Sequence, residues 1–201
     1  MNQDVLISGG RTLDPATGLD VVRDLYVTNG RLAPVPPSLP PDLRIIDASH
    51  LVVAPGFIDV HVHLREPPTV GGEPGGEDTE TIETGSRSAA RGGFTTIVAM
   101  PNTRPPYDTP ERVAFVKQRG SEAGLVRVLP SGAITQERKG KAVNDLAALA
   151  RAGAVAFTDD GSTVQDDAVM EEAMRRAKET NVPIMDHAQD NIIERQGGVM
   201  H

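Results

Sequence analysis

FIDVHVH, residues 57–63, is an apolar run that closes on two histidines one residue apart. Side chains alternate along an extended strand, so His61 and His63 leave by the same face, at the strand's C-terminal end. Comparable runs follow: FTTIVAM (94–100), LVRVLP (125–130), AVAFT (154–158) and VPIMDHA (182–188). Their starts lie roughly 30 residues apart, the rhythm of βα units in a parallel sheet. Helical stripes fill the gaps. Val169, Met170, Ala173, Met174 and Ala177 share one face, with Glu171, Glu172, Arg175 and Arg176 on the other. Leu146, Ala147, Leu149 and Ala150 form a shorter stripe, and Gly153 suits its C-cap. Eight such units make a barrel of about 250 residues. A doubly wound sheet would carry a glycine phosphate loop where this chain has His-Val-His. The pattern therefore predicts an α/β chain, the (β/α)8 TIM-barrel fold truncated after about five strands. Residues 56–201 are the barrel portion. An unclosed parallel barrel exposes strand edges, so a C-terminal remainder is expected, on the same or a second chain.

Upstream of Pro55-Gly56 the character differs. VLIS (5–8), DLYVTN (24–29), RIID (44–47) and HLVV (50–53) are strand-like, separated by Asp14-Pro15, Asn29-Gly30 and a proline-rich run from Pro34 to Pro41. Residues 1–55 read as a small β-sandwich module. The chain has 201 residues, 28 acidic against 20 basic, and a net charge of −8. That balance, with only four Phe, two Tyr and no Trp, argues against nucleic-acid binding, which needs a basic stripe and stacking platforms. No stretch approaches a membrane span, and MNQDVLISGG lacks the basic flank and apolar core of a secretory signal. The cytoplasm is the expected compartment. With no Cys, any metal must sit on carboxylates and the five histidines.

Two imidazoles at strand spacing can grip one divalent ion from a rigid base. Asp159-Asp160-Gly161 follows AVAFT directly, and His187 closes VPIMDH. All fall at strand C-termini, the rim where barrel enzymes assemble their sites. Asp-Gly is a common turn pair, and a lone strand-end histidine is commonly structural. Coincidence at three rim positions is harder to assign to chance. A carboxylate bridging two ions would lower the pKa of a shared water and supply hydroxide near neutral pH. Arg65 lies one strand step past His63, and Asn102 follows FTTIVAM. A guanidinium and an amide on this rim would suit a small carboxylate substrate. His50 and His201 have no comparable setting and read as structural or terminal.

PGFIDVHVHLREP (55–67), GGFTTIVAMPNTRPP (92–106), AFTDDGSTVQD (156–166) and VPIMDHAQDN (182–191) resemble the dihydroorotases of the amidohydrolase superfamily, in the bacterial type with an aspartate bridging ligand. The likeness spreads over essentially the whole chain. It implies a zinc-dependent hydrolase interconverting N-carbamoyl-L-aspartate and L-dihydroorotate in pyrimidine biosynthesis. It implies that His61 and His63 bind one Zn2+, that Asp160, the aspartate next to Gly161, bridges two, and that His187 binds the second. Arg65 and Asn102, with His63 close by, would hold the substrate carboxylate. The catalytic aspartate would lie beyond residue 201, so no catalytic acid/base is expected within this chain. A homodimer, or association with aspartate transcarbamoylase, completes the expected partners.

The sequence departs from the family in the Gly/Pro-rich insert 67–76, expected to be a mobile surface loop on the rim. Hydantoinase- or allantoinase-like amidases are the nearest rivals. They would place a modified lysine at a strand end, whereas Lys139 and Lys141 sit in the polar run ITQERKGKAV. A non-catalytic dihydroorotase-like scaffold is a further alternative, but it would have no need of four filled ligand positions.

Overall fold

The structure, a computed structural model, describes residues 3–67, 80–191 and 193. Most of the Gly/Pro-rich insert and His201 lie outside the described residues. The chain is mixed α/β and divides into two compact units, Met1–Gly56 and Phe57–His201.

In the first unit β1 (Val5–Asp14) pairs antiparallel with β2 (Leu19–Thr28), which pairs with β3 (Arg31–Ala33). Both residues of the Asn29-Gly30 turn have positive φ, 51° and 72°, as a tight primed hairpin requires. Asp14 closes the other hairpin by accepting from Ala16 N at 3.0 Å and from the Thr17 hydroxyl at 2.7 Å. β4 (Arg44–Asp47) and the short β5 (Val52–Val53) run parallel to β1, so the described residues of this unit form one five-stranded sheet.

The second unit opens with β6 (Phe57–Val62), followed by α1 (Ile82–Arg91), β7 (Phe94–Ala99), α2 (Pro110–Ala123) and β8 (Arg127–Pro130). The three strands pair in parallel in the order β6-β7-β8. Threonine caps begin both helices: Thr81 accepts from Thr84 N, and Thr109 accepts from Arg112 N with Pro110 opening α2. α3 (Leu146–Ala152) and α4 (Asp167–Thr180) follow, capped by Asp145 and Asp166.

The expected fourth and fifth strands are not regular strands. AVAFT and VPIMDHA contribute single parallel bridges, Gly132 with Phe157 and Phe157 with Ile184. Parallel hydrogen bonds still carry the order onward, from Val155 N to Pro130 O at 3.0 Å and from Phe157 N to Pro183 O at 2.9 Å. Pro130 and Pro183 have no N–H to return, and so the ladder shortens at both places.

The core lies between the sheet and its helices: Ile82 from α1, Ile97 from β7, Val113 and Val116 from α2, Leu146 and Leu149 from α3, Phe157, and Ala173 and Ala177 from α4. Met174, read as part of the apolar stripe of α4, is instead 59% exposed. It sits one residue past Ala173, about 100° round the helix, at the stripe's edge. Ile58 and Val60 also stay exposed, at 64% and 56%, because β6 is the outer strand of its sheet.

α2 approaches β8 closely at Gly120, where an added Cβ would lie 2.5 Å from Val128 Cβ. Gly120→Ala should therefore destabilise the fold by about 1–3 kcal/mol through overpacking, despite alanine's better helix propensity. Exposed Ser121→Ala should stay within about 0.5 kcal/mol of the parent. Urea unfolding of both variants checks the contrast.

Candidate metal centre

The C-terminal ends of the parallel segments deliver the site. β6 carries His61 and, one residue past its end, His63; the turn after β7 supplies Asn102. The turn after the Phe157 bridge supplies Asp159 and Asp160, and the segment after the Ile184 bridge supplies His187. These are the positions singled out from the sequence, and the structure brings His61, His63, Asn102, Asp160 and His187 together.

Asp160 is the centre. It is buried, at 3% exposure, while the imidazoles around it remain open to solvent. Its Oδ1 lies 3.3 Å from His61 Nε2 and 3.3 Å from His187 Nδ1, and its Oδ2 lies 3.8 Å from His63 Nε2. One ligand atom each from His61, His63 and Asp160 fall within 4.8 Å of one another, a set that could hold one metal ion. His187 meets the same carboxylate outside that trio.

The second nitrogens of two rings are already committed. His63 Nδ1 is 3.0 Å from Asn102 Oδ1, and His187 Nε2 is 3.0 Å from Gln189 Oε1. With the amide oxygens assigned toward the rings, each ring must donate there, because a carbonyl oxygen only accepts. The nitrogen facing Asp160 is then a lone pair in the neutral imidazole, the form a metal ligand needs. Lone pairs aimed at a buried carboxylate are mutually repulsive unless a cation lies among them. A hard carboxylate with neutral imidazoles, and no thiolate, is a donor set that fits a divalent ion such as zinc.

Asp159 points elsewhere. Its carboxylate accepts from Thr135 N at 3.1 Å and from the Thr135 hydroxyl, in a buried setting. Burial pushes its pKa above the usual carboxylate range, and the two Thr135 bonds pull the other way. Of the adjacent pair, Asp160 alone faces the histidines. Asn102 ties the rim together: beyond His63, its Nδ2 donates to Asp160 Oδ2 at 2.9 Å and its Oδ1 lies 3.4 Å from Arg65 Nη1. Lys139 pairs with Glu137 at 2.5 Å on an exposed loop and Lys141 is exposed, so neither offers a bridging ligand.

The segment carrying Arg65 is pinned by residues that no periodicity announced. Glu66, buried, accepts from Ile82 N at 2.6 Å in the first turn of α1, and lies 3.6 Å from Arg119 on α2. The Tyr107 hydroxyl donates to the Glu66 carbonyl at 2.6 Å and sits 3.2 Å from that of Leu64. Burial pushes this phenol well above its ordinary pKa, so it serves as a neutral donor. Tyr107 follows a run of turn residues and Glu66 reads as one more loop charge. Only their long-range partners distinguish them.

A protein-family profile described as "Dihydro-orotase-like" matches residues 50–201. The chain is 47% identical over 188 residues to a dihydroorotase of Aquifex aeolicus, covering 93% of this chain and 43% of that protein. It is 43% identical over 198 residues to a dihydroorotase of Solibacter usitatus, covering 98% and 44%. The chain thus spans less than half the length of these relatives. Among solved structures it is similar to an L-hydantoinase from Arthrobacter aurescens, with a TM-score of 0.77 and 24% identity over 97% of this chain and 43% of that one. A D-hydantoinase from Thermus sp. gives 0.68 and 22%, over 96% and 43%. At these identities the structural likeness bears on the fold alone.

Tyr107→Phe should leave the carbonyl of Glu66 without its donor and cost about 1–3 kcal/mol. The loss should be read as a lower urea midpoint at unchanged slope.

Proposed function

The chain belongs to the dihydroorotase-like family, and on that premise we propose that it carries the metal-binding front part of a dihydroorotase. The whole protein would interconvert N-carbamoyl-L-aspartate and L-dihydroorotate in pyrimidine biosynthesis. The observation that carries this reading is the buried Asp160 carboxylate facing His61, His63 and His187. In this reading His61, His63 and Asp160 would hold a zinc ion, and Asp160 and His187 would serve a second. Zinc would supply Lewis acidity at the rim.

The remaining chemistry falls to side chains. Arg65 and Asn102, joined at 3.4 Å, present a cation and an amide to the substrate carboxylate. A guanidinium suits that group because its planar fork matches two carboxylate oxygens. His63, 3.0 Å from Asn102, lies beside the same pair. Proton transfer at the amide nitrogen would fall to an aspartate in the longer protein.

The parallel order β6-β7-β8, continued through the bridges at Phe157 and Ile184, supports assignment to the front of a (β/α)8 barrel. A later helix would then cover exposed Ile58 and Val60, which share the face of Val62 on β6, and added strands would complete the N-terminal sheet as a sandwich. A cytoplasmic enzyme is consistent with the lack, among the described residues, of any helix long and apolar enough to cross a membrane. Homodimerisation or association with aspartate transcarbamoylase belongs to the same proposal.

Elemental analysis of the full-length gene product should find one to two zinc ions per chain, with turnover of dihydroorotate and not of hydantoin or allantoin. His61→Ala should lose both metal and turnover. Arg65→Met should keep the metal and raise KM by about 10–100-fold, the worth of a charge-assisted hydrogen bond. Turnover of hydantoin without dihydroorotate would reverse the substrate assignment.

A further inference from the structure

Arg138 lies 22 residues before Asp160, on the loop that follows β8, and its guanidinium crosses to the candidate centre. Nη2 donates to the main-chain carbonyl of Asp160 and lies 3.2 Å from the Ser162 hydroxyl. Gly161 lies alongside this contact: a Cβ there would meet Nη2 at 3.4 Å and Asn102 Nδ2 at 3.9 Å, ordinary van der Waals distances. Gly161 also adopts φ +75°, which brings the Asp160 carbonyl round toward the loop.

The loop that presents Arg138 is held on several sides. Glu137 and Arg138 both have positive φ, 53° and 56°, a region sparsely populated by residues with side chains. Such backbone persists only where surrounding bonds over-determine it. Here Glu137 N donates to Asp108 Oδ2 at 2.9 Å, Gln136 N to Ala142 O at 2.9 Å, and Gly140 N to the Thr135 hydroxyl at 2.9 Å. Thr135 in turn is bonded through both its amide and its hydroxyl to Asp159, the neighbour of Asp160. Two links therefore join the loop to the aspartate pair, one from Thr135 to Asp159 and one from Arg138 Nη2 to the Asp160 carbonyl.

We propose that Arg138 is a positioning residue for the Asp160 carboxylate. By clamping the Asp160 carbonyl it fixes the direction in which the carboxylate leaves the backbone, and so its place between the imidazoles of His61 and His187. The inference rests on the metal-binding reading above. It assigns Arg138 no contact with substrate. Ligand-orienting partners of this kind are worth about 10–100-fold in metal affinity.

The test is cobalt binding by the full-length gene product, read by chelator competition and by the visible absorption of the bound ion. Arg138→Met should weaken affinity by about 10–100-fold and shift the cobalt spectrum. Arg138→Lys keeps a cationic donor on a shorter, differently aimed side chain and should fall between the parent and Arg138→Met. Affinity within twofold of the parent and an unchanged spectrum for Arg138→Met would overturn the proposal, even if its Tm drops, since that is the mark of a merely structural residue. Should Arg138→Met fail to fold, Arg138→Lys decides by the same measure. If the parent binds cobalt and His61→Ala does not, while the Arg138 variants bind normally, only the role of Arg138 fails. If the parent itself binds no cobalt, the metal reading fails with it.

Discussion

A carboxylate removed from water must find positive charge or donors, because desolvation of an ionised group costs far more than a neutral hydrogen bond returns. Asp160 is such a group: it is 3% exposed and surrounded by imidazole nitrogens at 3.3–3.8 Å. Asn102 gives it one side-chain donor. The amide oxygens of Asn102 and Gln189 occupy the outward nitrogens of His63 and His187. If protons alone balanced the site, the rings of His63 and His187 would each have to carry two N–H groups and, both cationic, would repel one another. A shared divalent ion satisfies the same lone pairs without that repulsion. The rest of the site is arranged around this requirement.

The fold meets it by bringing several chain segments to one rim. Four of the five parallel segments deliver polar groups there: β6 gives His61 and His63, the turn after β7 gives Asn102, and the segments after the Phe157 and Ile184 bridges give Asp160 and His187. Rigidity comes from beneath. Ile97, Val128 and Phe157 bury the strand ends against α2, α3 and their neighbours. The turns above are then fastened individually: Arg65 through Glu66 and Tyr107, and the Asp159-Asp160 turn through Thr135 and Arg138. Fastening each turn to a different helix or loop leaves few ways for one ligand to drift without straining another.

Much of this was legible from local pattern. His-Val-His at strand spacing, the apolar runs and the Asp-Gly pair each follow from side-chain alternation or turn chemistry within a few residues. The N-terminal hairpins were legible for the same reason, since Asn29-Gly30 dictates its own turn. The runs at 154–158 and 182–188 were less so: their apolar composition suits a strand, but pairing depends on donors in the neighbouring segment, and Pro130 and Pro183 withhold them. Met174 shows the parallel limit for helices, where composition marks a stripe but the packing of neighbouring elements sets its width.

What the sequence determined by itself was the chemistry on offer: no thiolate, few histidines, and carboxylates placed after apolar runs. It also carried the family likeness that selects Asp160 over its neighbour. Only the tertiary structure decided how that selection is enforced. Asp159 and Asp160 are adjacent and chemically identical, so no local rule separates them. Thr135, 24 residues away, draws one carboxylate inward, while Arg138 and the left-handed Gly161 turn the other toward the histidines. Those partners are distant in the chain and meet only once the parallel segments have packed.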